Sequence, residues 1–184
     1  MSVDVVSYYN RGLSWEEFVA SSKKNVDRMR AFFDEFDVDD DTAAFFNNRS
    51  PMQILVIAED WCPDVVQNLA MLARICEDVP GLELSIVRRD ANSELMDEFL
   101  SDGKRRIPAI AFFDTTFTEI TRWAGRCVSA QKWIDTDVLH GRTWHDLSDD
   151  ELEAFHIEYD RRFRESFARE TLAEWMMLMS DEEY

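Results

Sequence analysis

The stretch Ile57-Ala58-Glu59-Asp60-Trp61-Cys62-Pro63-Asp64-Val65-Val66 ends an apolar run and sets one cysteine where a helix should begin. The first turn of a helix presents unpaired N–H groups and the positive end of the macrodipole. Both favour thiolate over thiol and can bring a cysteine below its ordinary value of about 8.5. The chemistry open to such a sulfur is nucleophilic attack on a disulfide, and Pro63 fits the first helical position without losing a hydrogen bond. A dithiol motif would carry its second cysteine at position 65, which is Val65. Glu59, Asp60 and Asp64 oppose the helix, because nearby negative charge disfavours a second anion. Asp64 reads either as a helix cap or solvated group, or as a proton acceptor.

The remaining reactive residues contribute less. Cys76 lies 14 positions further along the same expected helix, about 21 Å at 1.5 Å per residue, so it cannot meet Cys62 and reads as a core residue. His140, His145 and His156 match no metal-ligand spacing, and neither a metal nor a cofactor is expected. Lys104-Arg105-Arg106 reads as a solvated turn, or as a basic cluster that offsets the acidic residues and receives an anionic thiol or client.

The elements that must position these groups follow from periodicity. The Ser14–Glu17 capping box predicts a helix over about 14–36, and a short helix precedes the Ser50-Pro51 boundary. Gln53–Ala58 reads as a central strand, Pro63–Glu77 as a helix and Leu82–Val87 as a second strand. A helix capped by Asn92 or Ser93 runs toward Gly103. Two strands, Ile107–Phe113 and Phe117–Trp123, follow around the turn Asp114-Thr115-Thr116, with a short helix at about 129–135. Residues 135–147 show no periodicity and read as a loop. A second capping box, Ser148–Glu151, opens a long helix to about Ser180 with the stripe Leu152, Phe155, Tyr159, Phe163, Phe167, Leu172, Trp175 and Met179. That stripe reads as a face packed on its own domain, a homodimer seam or a client groove.

With 184 residues and 46% hydrophobic content, the chain has material for a real core. Its 38 acidic and 20 basic residues give a formal charge of −18, which repels phosphate backbones and anionic lipid surfaces and argues against nucleic-acid and membrane partners. The basic residues are mostly arginine, as adaptation to high salt or an ordinary acidic surface would each allow. The opening residues MSVDVVSYYNRG do not read as a secretory signal, no apolar run is long enough to span a membrane, and the expected location is cytoplasmic. Three cysteines, an odd number, argue against a disulfide framework.

EDWCPD, followed by RRDAN, LMDEFL and IPAIAFF, resembles the thioredoxin superfamily, and within it a branch with an N-terminal helical extension and a Trp-Cys-x-Asp motif. The resemblance covers about residues 52–136. It implies an α/β thioredoxin-like fold, a central mixed sheet flanked by helices, with an N-terminal helical extension (1–50), a core (51–136), and a loop and long C-terminal helix packed on that core (137–184). It also implies that Cys62 is the catalytic thiol, supported by Trp61, Pro63, Asp64 and a cis Ile107-Pro108 peptide. Val56 occupies the place of the buried acid that assists the second cysteine in the commonest members. Cys127, after Trp123-Ala124-Gly125, is either the resolving partner of Cys62 or simply a further thiol. The expected activity is single-cysteine thiol–disulfide exchange with a protein disulfide or a low-molecular-weight thiol. The alternative is a non-catalytic protein-binding or redox-sensing module.

Overall fold

The structure, a computed structural model, describes residues 3–180. Its backbone contacts divide the chain into two compact units, one running to Gly125 and resuming at Met176, the other Arg126–Trp175.

The first unit opens with four short helices: α1 (Val5–Asn10), α2 (Trp15–Ser21), α3 (Val26–Glu35) and α4 (Asp40–Asn47). β1 (Met52–Ala58), α5 (Pro63–Asp78), β2 (Leu82–Arg88), α6 (Ser93–Glu98), β3 (Ala109–Phe113) and β4 (Glu119–Ala124) follow. The sheet is mixed, in the order β2-β1-β3-β4, with β1 parallel to β2 and antiparallel to β3, and β3 antiparallel to β4. The unbroken apolar runs of β1 and β3 are the central strands: Ile54–Ala58 and all five residues of β3 are buried, as a sheet covered on both faces requires. The long α5 buries eleven of its residues, so the helix that carries Cys62 at its start is held along most of its length.

The single helix expected over 14–36 is two helices. α2 stops at Ser21, whose hydroxyl and that of Ser22 turn back to the Phe18 carbonyl at 3.1 and 2.8 Å; serine hydroxyls compete in this way with the backbone ladder. α3 restarts after Asn25, held at φ +56°. The helix expected to reach Gly103 ends at Glu98, and Gly103 instead sits in a tight turn where the Ser101 and Lys104 backbones pair at 3.0 Å in both directions. The hairpin turn is longer than Asp114–Thr116, since the Asp114 carboxylate accepts from the Thr116 and Thr118 amides at 2.7 and 3.0 Å and delays β4 to Glu119.

The N-terminal segment is tied to β2. Leu13 and Ile86 exchange both backbone hydrogen bonds at 2.8 Å. Ser85 Oγ donates to the Tyr9 carbonyl at 2.6 Å, and the Tyr9 hydroxyl donates to the Glu83 carbonyl at 2.9 Å. Burial beside Glu83 pushes that phenol well above the ordinary tyrosine range.

In the second unit α7 (Val128–Trp133) widens without a break into a π-type turn over Ile134–Leu139, and a Thr143–Asp146 capping box closes a short 3₁₀ turn. Residues 135–147 are therefore largely helical turns, whose wider and tighter windings leave no 3.6-residue period to read. The long helix is α8 (Asp149–Arg162), a wide turn (Phe163–Phe167) and α9 (Ala168–Ser180). The wide turn takes up the extra residue in the Phe167-to-Leu172 step and keeps the stripe on one face. Trp133 anchors this unit, stacked 5.9 Å from Phe155 and 6.0 Å from Tyr159.

Candidate functional site

The site forms where β1 ends. Cys62 is the N-cap residue of α5, with Pro63 in its first turn and no side-chain hydrogen bond made into that cap. Cys62 is 7% exposed, and its S–H donates to the Ile107 carbonyl at 3.5 Å. The Ile107-Pro108 peptide is cis, as is Ser50-Pro51. The Pro108 carbonyl in turn accepts from the Gly125 amide at 2.8 Å, at the end of β4, where φ of +84° calls for glycine. Cys62, Pro63, Ile107 and Pro108 thus meet at one place. Val56 and Val65 are fully buried, so neither a carboxylate nor a second sulfur stands at those two positions.

The acidic residues around the sulfur are committed elsewhere. Glu59, 6% exposed, accepts from the Asp90 amide at 2.8 Å and pairs with Arg88 at 3.6 Å. One oxygen of Asp60, Oδ2, accepts from the amides of Lys23 and Lys24 at 2.7 and 3.2 Å, and Asn25 Nδ2 donates to the Asp60 carbonyl at 2.7 Å. The break between α2 and α3 is therefore the surface on which the motif loop rests. Arg88 joins the same parts, since it also donates to the Phe18 carbonyl and the Ser21 and Ser22 hydroxyls. Partnered by amides and a guanidinium, Glu59 and Asp60 put less bare negative charge on the sulfur than their place in the sequence suggests.

Trp61 stands out from the loop, 40% exposed, with its indole N–H donating to Asp90 at 3.3 Å and the Arg89 guanidinium 4.7 Å over its ring. Hydrogen bonds from Arg89 hold the Asp90 carboxyl below the usual range. Asp64 is buried at 3% exposure. Two members of the basic cluster are paired with nearby acids: Arg105 grips Asp97 with two bonds of 2.7 Å, and Arg106 pairs with Asp102 at 3.4 Å. Arg88, the first residue of RRDAN, is the cation that meets Glu59.

All three cysteines are thiols. Burial pushes Cys76 up to about 12. Cys127 belongs to the second unit, where it caps α7 beside Ser129 Oγ at 3.5 Å, and burial raises it as well. Arg88 and Asp90 lie within RRDAN but the sequence gives them no role, and Asn68 lies in no motif. Asn68 leaves a trace only as an amide one turn beyond Asp64 on a largely apolar helix. Among the described residues no three acidic, histidine or cysteine side chains gather as a metal site would need.

A family model described as thioredoxin matches residues 12–140. A protein of unknown function from Pseudomonas aeruginosa has a similar crystal structure at 18% identity and TM-score 0.68, over 98% of this chain and 99% of that one. An HIV epitope-scaffold crystal structure is similar at 16% identity and TM-score 0.68, over 97% and 99% of the two chains. At such identities the likeness speaks to the fold alone. No curated protein matches the chain significantly, and among the described residues no helix is long and apolar enough to cross a membrane.

Proposed function

The chain belongs to the thioredoxin family, and on that premise we propose that Cys62 acts as a single exchange thiol on disulfides of a protein or low-molecular-weight partner. Its thiolate attacks one sulfur, the partner's S–S bond breaks, and the departing thiolate takes up a proton while Cys62 is left in a mixed disulfide. A second, external thiolate then attacks that disulfide and frees Cys62. A reducing setting such as the cytoplasm supplies this thiol. The observation that carries the reading is the position of Cys62 as N-cap of a 16-residue helix, where the unpaired amides and the dipole stabilise an anion. Cys127 as an internal resolving partner is the variant of this reading tested by mild oxidation of Cys76→Ala. An intramolecular disulfide, seen as the loss of two hydrogens by mass spectrometry, would support it, and a product with both thiols intact would exclude it.

One observation favours a second reading, a non-catalytic partner-binding or redox-sensing module. Cys62 is only 7% exposed and its S–H donates to the Ile107 carbonyl, a bond that favours thiol. Alkylation followed against pH separates the two. Burial pushes Cys76 up to about 12 and raises Cys127 as well, and peptide mapping by mass spectrometry assigns each addition to its own cysteine. The exchange reading expects a midpoint below the ordinary thiol value of about 8.5, and disulfide exchange lost in Cys62→Ser. A midpoint at or above that value, with exchange unaltered in Cys62→Ser, leaves the binding module.

A further inference from the structure

We infer that Asn68 is a positioning residue for Cys62, holding the Ile107-Pro108 segment and the start of α5 in one arrangement around the sulfur. The inference deepens the exchange reading and rests on it for its target. Asn68 is 1% exposed and shares its buried stretch of α5 with Asp64, Val65, Gln67, Leu69 and Leu72. Its Nδ2 donates to the Asp64 carbonyl at 2.9 Å and, in a longer contact, to the Gly125 carbonyl at 3.5 Å. Both partners are carbonyl oxygens, which only the NH₂ side of the amide can satisfy, so the orientation of the group is determined.

These bonds close a ring. From Cys62 Sγ it passes to the Ile107 carbonyl, through Pro108 to the Gly125 amide, and from the Gly125 carbonyl through Asn68 to Asp64 in the first turn of α5. Asn68 is the side chain that joins the β4 end of this ring to the helix that carries the sulfur. Its position comes at a cost, because Oδ1 is buried with no hydrogen-bond partner among the described residues, and an unsatisfied buried acceptor is unfavourable. Leucine, of similar size, would fill the place without that penalty. The amide is therefore better explained by what Nδ2 holds than by packing.

Two variants test the assignment, with Glu59, Asp60 and Asp64 unchanged in both. Asn68→Leu removes both bonds. Asn68→Ser keeps a hydroxyl able to reach the carbonyl four residues back, at Asp64, but is too short for Gly125. With the Ile107 carbonyl less firmly held against the sulfur, the midpoint of Cys62 alkylation is expected to fall by about half a pH unit or more in both variants. The Gly125 amide should also exchange its hydrogen faster. A change in folding stability alone, with the parent midpoint kept in the folded variants, would overturn the inference. So would a shift in Asn68→Leu that is absent in Asn68→Ser, which would assign the effect to the Asp64 bond only. If Asn68→Leu fails to fold, Asn68→Ser alone decides. The midpoint reads the surroundings of Cys62 whether or not the thiol exchanges disulfides, so this result is independent of the Cys62→Ser assay.

Discussion

Replacing Asp60 with alanine is expected to cost about 2–4 kcal/mol of folding stability, because it removes a charged acceptor and strands two amides at a part-buried junction. Asp60 is 9% exposed, and the Lys23 and Lys24 amides both end on its Oδ2. Asparagine can place its carbonyl oxygen where Oδ2 stands and keep both bonds without the charge, so Asp60→Asn should cost only about 1 kcal/mol. Urea denaturation of the three proteins measures the difference. The two amides should also lose protection from hydrogen exchange in the alanine variant and keep most of it in the asparagine variant. An Asp60→Ala protein within about 0.5 kcal/mol of the parent would show that the α2–α3 break is held by something else.

Gly12→Ala is the second large effect. A Cβ at Gly12 would lie 1.9 Å from Ser85 Oγ and 3.2 Å from the backbone N and O of Ile86. The hydroxyl can turn away only by giving up its 2.6 Å bond to the Tyr9 carbonyl, and the Ile86 backbone cannot turn away at all. Overpacking of this kind costs about 1–3 kcal/mol. Ser85→Ala removes the nearer obstacle but not the farther one, so the double variant should recover part of the loss, with a coupling of about 1 kcal/mol in a double-mutant cycle. Strict additivity of the two changes would mean that the segment before Leu13 moves aside freely.

The order of the core elements and the seat of Cys62 were open to inspection of the chain. The apolar runs of β1 and β3 have one use, Pro63 marks a helix start, and the interval from Cys62 to Ile107-Pro108 leaves room for one strand between two helices. The environment of the sulfur was not. Glu59 and Asp60 stand next to Cys62 in the chain, but their partners are Arg88 and Asp90 on one side and Lys23 and Lys24 on the other. Pairings so distant leave no local period. The split between α2 and α3 was hidden for the same reason, since the loop that receives it, through Asp60 and Asn25, lies more than thirty residues on. The stripe from Phe155 to Phe167 was legible as apolar positions, while the wide turn at Phe163–Phe167 changed the winding without changing the composition.

The exchange of two hydrogen bonds between Leu13 and Ile86 bears on the outer edge of the sheet. β2 is the last strand on its side of the sheet, and an outermost strand with open N–H and C=O groups is a template for a strand from another copy. Leu13 occupies that template at its middle, and Tyr9 reaches the same strand at Glu83. A segment that looks like a mere leader to the sheet is thus also its selvedge, the finished border that keeps the weave from being continued by a neighbour.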